Sequence, residues 1–323
     1  MIGRCIACNE KSGGRDIVSI DHLTRRTFKL FRCVSCQIAW LDVPADLDVG
    51  AYYPQAYCGG KGYRFHPAIE LLVRLFRKAR ARFVLRYWKR KPGRILDVGC
   101  GRAVMLAELD KLGWHCIGTE ISEASSKLAG SGARVILHAE PSLEACGFPS
   151  DYFDVVTLWH VFEHLRNPVE TLKEIKRILK PDGLLVIEVP NFVSWQARFN
   201  ESNWIYLEAP RHFYQFSPKG LLKIIKANCF NVVYLRTLSL EIGIFGMFQS
   251  ILNLIIPRKN LFFLLMNKGE RDMLDFRSVS LLFSLALLVI FALPGLVLSV
   301  FLELASSLMG CGGVIRSVAR NVK

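Results

Sequence analysis

The chain has 323 residues, enough to bury a full core and carry appendages, with 42 Lys and Arg against 28 Asp and Glu, a formal charge of +14. That balance points to an anionic partner, which is a lipid surface, a phosphorylated substrate or nucleic acid, and charge alone does not choose among them. The ten cysteines fit a reducing compartment, because four are paired as CxxC and the rest are scattered without a disulfide-like pattern. The N-terminal MIGRCIACNEK has no apolar h-region, so a cleaved signal is not expected and the chain is expected to start in the cytosol.

Cys5 and Cys8 form one CxxC and Cys33 and Cys36 another, separated by DIVSIDHLTRRTFKLF, which reads as strand, turn and strand. This is the spacing of a zinc ribbon, in which four thiolates close a tetrahedral structural Zn2+ site and hold together a segment too small for a core of its own. Each knuckle usually continues with Gly; here Asn9 and Gln37 stand in that place, and Asn tolerates the left-handed conformation better than Gln. Buried or redox-active cysteines are the alternative. Four cysteines leave no open position for a catalytic metal.

Residues 64–94 contain eleven Arg and Lys against the single acid Glu70, with Leu72, Leu75, Phe76, Phe83 and Trp88 among them. As a helix this stretch is basic and amphipathic, suited to anionic headgroups or an acidic substrate. The alternatives are a linker helix packed on the catalytic domain and an RNA contact.

GRILDVGCGRAVMLAEL (93–109) is an apolar, β-branched strand running into a Gly-rich turn and then a helix, and CIGTEIS places Glu120 at the end of a second strand. There a helix N-terminus and bare amides approach a ligand while a carboxylate takes two ribose hydroxyls. A dinucleotide fingerprint requires Gly at position 104, where Val104 stands, so that reading loses ground. The alternation continues through FPSDYFDVVTLWHVFEHLRNPVETLKEIKRILKPDGLLVIEVPN (148–191), with Val169, Leu172, Ile175 and Leu179 at helical spacing before a PDG turn. Such alternation implies a mostly parallel sheet with ligands at the carboxyl ends of its strands.

This series resembles the class I S-adenosylmethionine-dependent methyltransferases, whose first motif is usually D-V-G-C-G-x-G. Asp97, Gly99 and Gly101 match it and Ala103 replaces the last Gly. The resemblance runs over roughly 92–237 and implies an α/β, Rossmann-like, seven-stranded sheet. It further implies that Asp97, Gly99, Gly101 and Glu120 serve the methionine part and ribose of S-adenosylmethionine, and that Ile121 and Leu143 flank the adenine. The methyl group then faces the end of the fourth strand, where His160 stands near the cofactor or the acceptor. EAPRHFYQFSPKGLLKIIKANCF (208–230) resembles the acceptor border of the family, which makes His212 a candidate general base with Tyr214 beside it. For each histidine a structural role is the alternative. His160, Glu163 and His164 also spell HxxEH, the inverted zinc-protease pattern; its place directly after FDVVTL argues against a protease. No NPPY-type sequence follows that strand, which argues against methylation of base amines.

SVSLLFSLALLVIFALPGLVLSVFL (278–302) holds no charge. NVVYLRT (231–237) resembles the sixth strand of the family's sheet and GGVIRSVAR (312–320) the seventh, which are neighbours, so the run is an insertion whose ends return to one side of any membrane. Pro294 and Gly295 are expected to divide it into halves too short to span, and the segment 242–256 is short as well. Arg258, Lys259, Lys268, Arg271 and Arg277 before the run, and Arg316, Arg320 and Lys323 after it, agree with both ends being cytoplasmic. An apolar dimer surface and a buried layer are the alternatives, and removal of 240–309 is expected to leave a folded catalytic domain.

The expected organisation is a zinc ribbon (1–45), a linker with the basic helix (46–91), a methyltransferase domain (92–237 and 312–323) and a membrane-associated insertion (238–311). The stretch DLDVGAYYPQAY (46–57) adds a resemblance to bacterial methyltransferases with an N-terminal zinc ribbon that act in surface-glycan pathways. That resemblance implies O- or C-methylation of a sugar or lipid-linked small-molecule acceptor. The protein is expected at the inner face of the cell membrane, held by a re-entrant apolar hairpin on an anionic surface. A prenylated quinone precursor and RNA are the rival acceptors, with nucleic acid the less favoured.

Overall fold

The computed structural model describes residues 4–11, 13, 17–21, 24, 26–44, 47–52, 67–121, 136–138, 142–266, 271 and 274–322. Residues 53–57 of the joining stretch, Lys268 and Lys323 lie outside the described residues. The chain forms two compact units: one takes Met1–Tyr57, Pro190–Leu221 and Arg236–Ile315, the other Cys58–Val189, Leu222–Leu235 and Arg316–Lys323.

The first unit contains β1 (Ile17–Ile20), β2 (Thr27–Arg32) and β3 (Ala39–Leu41). The second opens with the helix α1 (Pro67–Trp88) and then alternates: β4 (Arg94–Val98), α2 (Val104–Asp110), β5 (His115–Thr119), β6 (Ile136–His138), β7 (Phe153–Trp159), α3 (Pro168–Ile178) and β8 (Leu179–Pro190). Beyond them come α4 (Trp195–Asn200), β9 (Tyr214–Gln215), α5 (Pro218–Ala227), β10 (Phe230–Arg236), α6 (Ile242–Ile255), α7 (Leu261–Met266), α8 (Val279–Leu308) and β11 (Val314–Asn321).

A seven-stranded sheet has the order β10-β11-β8-β7-β4-β5-β6, with β4, β5, β6, β7 and β8 parallel where they pair. Every residue of β7, FDVVTLW, is buried, as expected for a strand covered on both faces. The helix read from Val169, Leu172 and Ile175 is α3, with Pro168 at its start; it ends at Ile178, and Leu179 already belongs to β8. β10 and β11 are neighbours, as read from the sequence.

The basic stretch is a helix whose C-terminal half is built into the core. Ala81, Val84 and Trp88 pack with Ile95, Leu106, Trp114 and Val155, and Arg80 is itself buried. Only its N-terminal turns leave Leu71, Leu72 and Leu75 exposed.

In the first unit, β3 pairs with β2 on one side and with β9 on the other, Trp40 opposite Tyr214. The cysteine module is thereby joined by backbone hydrogen bonds to the segment that carries His212 and Tyr214.

One expectation about the apolar run is corrected. Pro294 and Gly295 do not divide it: α8 is one continuous helix of 30 residues with Pro294 inside. The lost backbone bond at a helical proline costs about 3 kcal/mol; one residue on, Gly295 faces α6, where a Cβ would lie 3.4 Å from the Phe248 ring. The insertion is also hydrogen-bonded to the segment that follows β8. Gln196 donates to the Gly243 carbonyl and to Glu303 (both 3.2 Å), Asn200 to the Ser250 carbonyl (3.2 Å), and Tyr206 to the Ile242 carbonyl (2.8 Å). Glu303 also accepts from the Gly313 amide at 2.9 Å.

Replacing residues 240–309 by a short turn therefore strips partners from buried polar groups, each costing about 1–3 kcal/mol. The truncated chain is expected to melt well below the parent or to aggregate, read by circular dichroism on heating. An unchanged melting temperature would show that these bonds contribute little.

Candidate active site

Gly99 and Gly101 follow β4 at φ 67° and 53°, the left-handed region that glycine enters without cost. A Cβ on Gly99 would lie 2.5 Å from Val161, whereas one on Gly101 would meet nothing within 4 Å, so the loop is closed on one side and open on the other. Ala103, the departure from the family motif, adopts φ 53° and begins α2 from a strained conformation. Glu120, at the end of β5, accepts a hydrogen bond from the Gly101 amide at 2.9 Å, which places a carboxylate across the glycine loop. Asp97 lies opposite Thr157 in the sheet and accepts its hydroxyl at 2.5 Å. Burial pushes the Asp97 carboxyl up to about 7, against the pull of that hydroxyl. Ile121 is 75% exposed and Leu143 is buried, before the short turn Glu144–Cys146. An open glycine cradle beside a carboxylate fits the amino-acid and ribose parts of S-adenosylmethionine.

His160 follows β7 at φ 57°. Its Nε2 lies 3.0 Å from Glu188 and its Nδ1 3.5 Å from Glu163. Burial disfavours the charged ring, but the hydrogen bonds and charges of Glu163 and Glu188 outweigh it and raise the pKa to about 9. His160 is therefore an imidazolium at neutral pH with both nitrogens turned to carboxylates. Both carboxylates thereby hold the ring at the end of β7. His164 belongs to the turn Phe162–His164, so the two histidines of HxxEH do not share an α-helical face.

Glu188 is completely buried on β8, where it meets Arg80 of α1 at 3.7 Å, His160, and Arg316 of β11. Burial alone would raise its pKa, but Arg316, His160 and Arg80 hold it far below the usual carboxylate range. The guanidinium of Arg80 lies 5.0 Å from the centre of the Trp159 ring, and that of Arg316 lies 4.7 Å from Phe83. The sequence reading missed this cluster. Its one signal was a lone acid inside the apolar strand LLVIEVP, because a buried carboxylate requires partners.

His212 and Tyr214 lie in the first unit. His212 is buried and its Nδ1 is 2.9 Å from the Tyr206 carbonyl, which only accepts, so Nδ1 carries the proton. Its Nε2 lies 3.8 Å from the Glu208 carboxylate. That is the arrangement of a base oriented through one nitrogen and steadied as a cation at the other. Tyr214 is half-buried, and burial holds its phenol above the ordinary value, so it serves as a hydrogen-bonding hydroxyl.

The cysteines converge as read. The Sγ atoms of Cys5 and Cys36 are 3.2 Å apart, those of Cys8 and Cys33 3.4 Å, and all four lie within 4.8 Å of one another. Four sulfurs at about 2.3 Å from one zinc ion stand about 3.8 Å apart, the same scale. Asn9 and Gln37 take φ 59° and 61°, and their amides donate to the Cys5 and Cys33 carbonyls, both at 2.9 Å, so both knuckles close without glycine.

The shift at His160 has a measurable sign. Its pKa rises from 6.5 to about 9 on folding, so its contribution to stability is fully present below pH 6.5 and is lost as pH rises through 9. Melting temperatures measured from pH 6 to 10 should show the parent's advantage over His160→Gln shrinking across that window. A constant difference would mean that the ring is neutral in the folded chain.

The profile of the methyltransferase-domain family matches residues 69–235, beginning within α1. The ubiquinone biosynthesis O-methyltransferase of Roseobacter denitrificans is 29% identical over 131 residues, covering 39% of this chain and 50% of that protein. The demethylmenaquinone methyltransferase of Mycobacterium bovis is 31% identical over 111 residues, covering 32% and 47%. The chain thus spans about half the length of the curated relatives it matches. Among solved structures, a chain of the complex between the Haloferax volcanii Trm112 methyltransferase activator and a methyltransferase superposes with a TM-score of 0.50 at 15% identity, over 79% of this chain and 92% of that one, a likeness of fold alone. With the family match covering the glycine loop, Glu120, β7 and β8, this chain belongs to the methyltransferase-domain family of S-adenosylmethionine-dependent enzymes.

Proposed function

We propose that this protein methylates an oxygen or carbon of a sugar or lipid-linked glycan intermediate at the inner face of the cell membrane, using S-adenosylmethionine. The observation that carries the methyltransferase reading is the open cradle at Gly101 with Glu120 across it. The bound cofactor supplies an electrophilic methyl group. Asp97, Gly99, Gly101 and Glu120 bind it, with Ile121 and Leu143 beside the adenine. His212 accepts the acceptor's hydroxyl proton at Nε2 while Glu208 steadies the resulting cation, and Tyr214 orients the acceptor. α8, of whose most apolar 18-residue window only 11% is buried, supports a membrane-bound acceptor.

A prenylated quinone precursor is the second reading, favoured by the two relatives, a ubiquinone biosynthesis O-methyltransferase and a demethylmenaquinone methyltransferase. RNA is disfavoured: Arg80 of the basic helix is spent on Glu188, and the large exposed apolar surface suits lipid better than phosphate. The cysteine cluster is assigned one structural zinc ion, which would hold the Cys5–Cys8 and Cys33–Cys36 knuckles together. The ribbon, the linker with the basic helix, the catalytic domain and the insertion are proposed as the functional parts of the chain.

Membranes incubated with methyl-labelled S-adenosylmethionine should yield a labelled lipid-linked glycan; a labelled quinone precursor would select the second reading. Gly101→Val and Glu120→Ala should each weaken cofactor binding in a calorimetric titration. His212→Ala should lower turnover by about 10²–10⁴-fold with cofactor affinity unchanged. Metal analysis should find one zinc per chain, lost in Cys33→Ser.

A further inference from the structure

α8 has its polarity turned inside out. Its buried stripe is Leu281, Ser284, Leu288, Gly295, Ser299, Glu303 and Ser306, recurring every three or four residues apart from the single gap at Ala292, and facing α6 and Gln196. Its outward side carries Val279, Phe283, Val289, Ile290, Leu293, Val297, Phe301 and Leu308, between 50% and 90% exposed. A helix of a water-facing protein shows the reverse. The outward stripe is apolar from the first turn to the last, about 45 Å at 1.5 Å per residue.

The neighbours of α8 decide how such a stripe meets a bilayer. The α6–α7 leg runs antiparallel to it: Gly243 lies beside Glu303, Phe248 beside Gly295, and Leu252 to Leu264 in one cluster with Leu281 and Leu288. α4 and the turn after it bind α6 through Asn200 to the Ser250 carbonyl and Asn253 to the Asn203 carbonyl, while exposing Arg198 and Glu201. An upright, fully inserted hairpin would draw Arg198 and Glu201 into hydrocarbon. An upright, half-inserted hairpin would place its tip, with exposed Lys259, Arg271, Asp275 and Arg277, near the bilayer centre. Either costs several kcal/mol per charge. With α8 lying flat, the outward stripe is in the acyl boundary, the tip cations and exposed Arg236 are at headgroup level, and α4 stays in water.

We infer that α8 docks lengthwise, in the plane of an anionic bilayer, as the monotopic anchor of the protein, and does not cross or dip into it. This rests on the membrane reading above. The occupant of the stripe is the boundary of headgroups and acyl chains, chosen by the apolar outward face together with the cations at both ends of the hairpin.

The test is a depth profile on the full-length chain. A fluorescent amino acid is placed singly at Phe283, Ile290, Val297 and Leu304, and its quenching is read in phosphatidylcholine–phosphatidylglycerol vesicles with bromine at defined acyl positions. All four probes are expected at one depth, about 5–10 Å below the headgroups, with binding weakened by salt and by omission of phosphatidylglycerol. Ile290→Glu, on the exposed face and outside the catalytic machinery, should lower the bound fraction about tenfold without changing the melting temperature, as loss of one apolar side chain's transfer energy implies. A depth that changes by about 1.5 Å per residue along the helix would overturn the in-plane geometry while leaving membrane binding intact. Failure of the parent chain to bind vesicles at all would overturn the membrane reading itself. A chain that stays off vesicles and runs as a dimer dissociated by Ile290→Glu would assign the stripe to a second copy.

Discussion

A single carboxylate, Glu188, organises the catalytic sheet. It has no exposure and gathers Arg80, His160 and Arg316 from three different elements. Desolvating one anion and three cations costs several kcal/mol per ion, and their attraction repays it only when every partner is in place. Loss of one partner leaves an uncompensated buried charge, so the cluster enforces a single docking of α1, β7, β8 and β11.

The cluster also separates roles among the histidines. His160 lies where its charge is stabilised from both sides and its donors are already engaged. His212 has one nitrogen oriented by a carbonyl and the other near a carboxylate 3.8 Å away, the asymmetry that proton transfer requires. Two rings that look alike in the sequence thus have different partners, two carboxylates for His160 and a carbonyl with a carboxylate for His212.

In the other unit the cysteine module is part of the architecture. Ser217 donates to the Cys36 carbonyl at 2.5 Å, and a Cβ on Gly220 would lie 2.4 Å from Ile38, so the second knuckle is packed tightly on the start of α5. Arg211, also without exposure, reaches the Tyr52 carbonyl at 3.0 Å and Asp21 at 3.5 Å. The segment bearing His212 and Tyr214 is therefore held from both ends, at Arg211 by Tyr52 and Asp21 and at Ser217 by Cys36. The insertion follows the opposite rule of solvation, with serines, glycine and a glutamate inside and large apolar side chains outside.

What the sequence determined by itself was written in local constraints. The glycines at 99 and 101 mark positive φ, the CxxC spacing brings four sulfurs together, and the alternation of apolar strands with amphipathic helices dictates a parallel sheet. Each is written in short motifs or in a pattern that repeats along the chain. Tertiary structure alone decided the rest. Arg80 read as one of eleven cations on a solvated face, and only the approach of β8, more than a hundred residues away, shows it to be buried against Glu188. Pro294 read as a break because its backbone cost is local, whereas the Phe248 ring that Gly295 faces comes from α6. The inward face of α8 was invisible for the same reason: an uncharged run has no local sign of which side meets protein, and the partners of Gly295 and Glu303 are supplied by other elements of the fold.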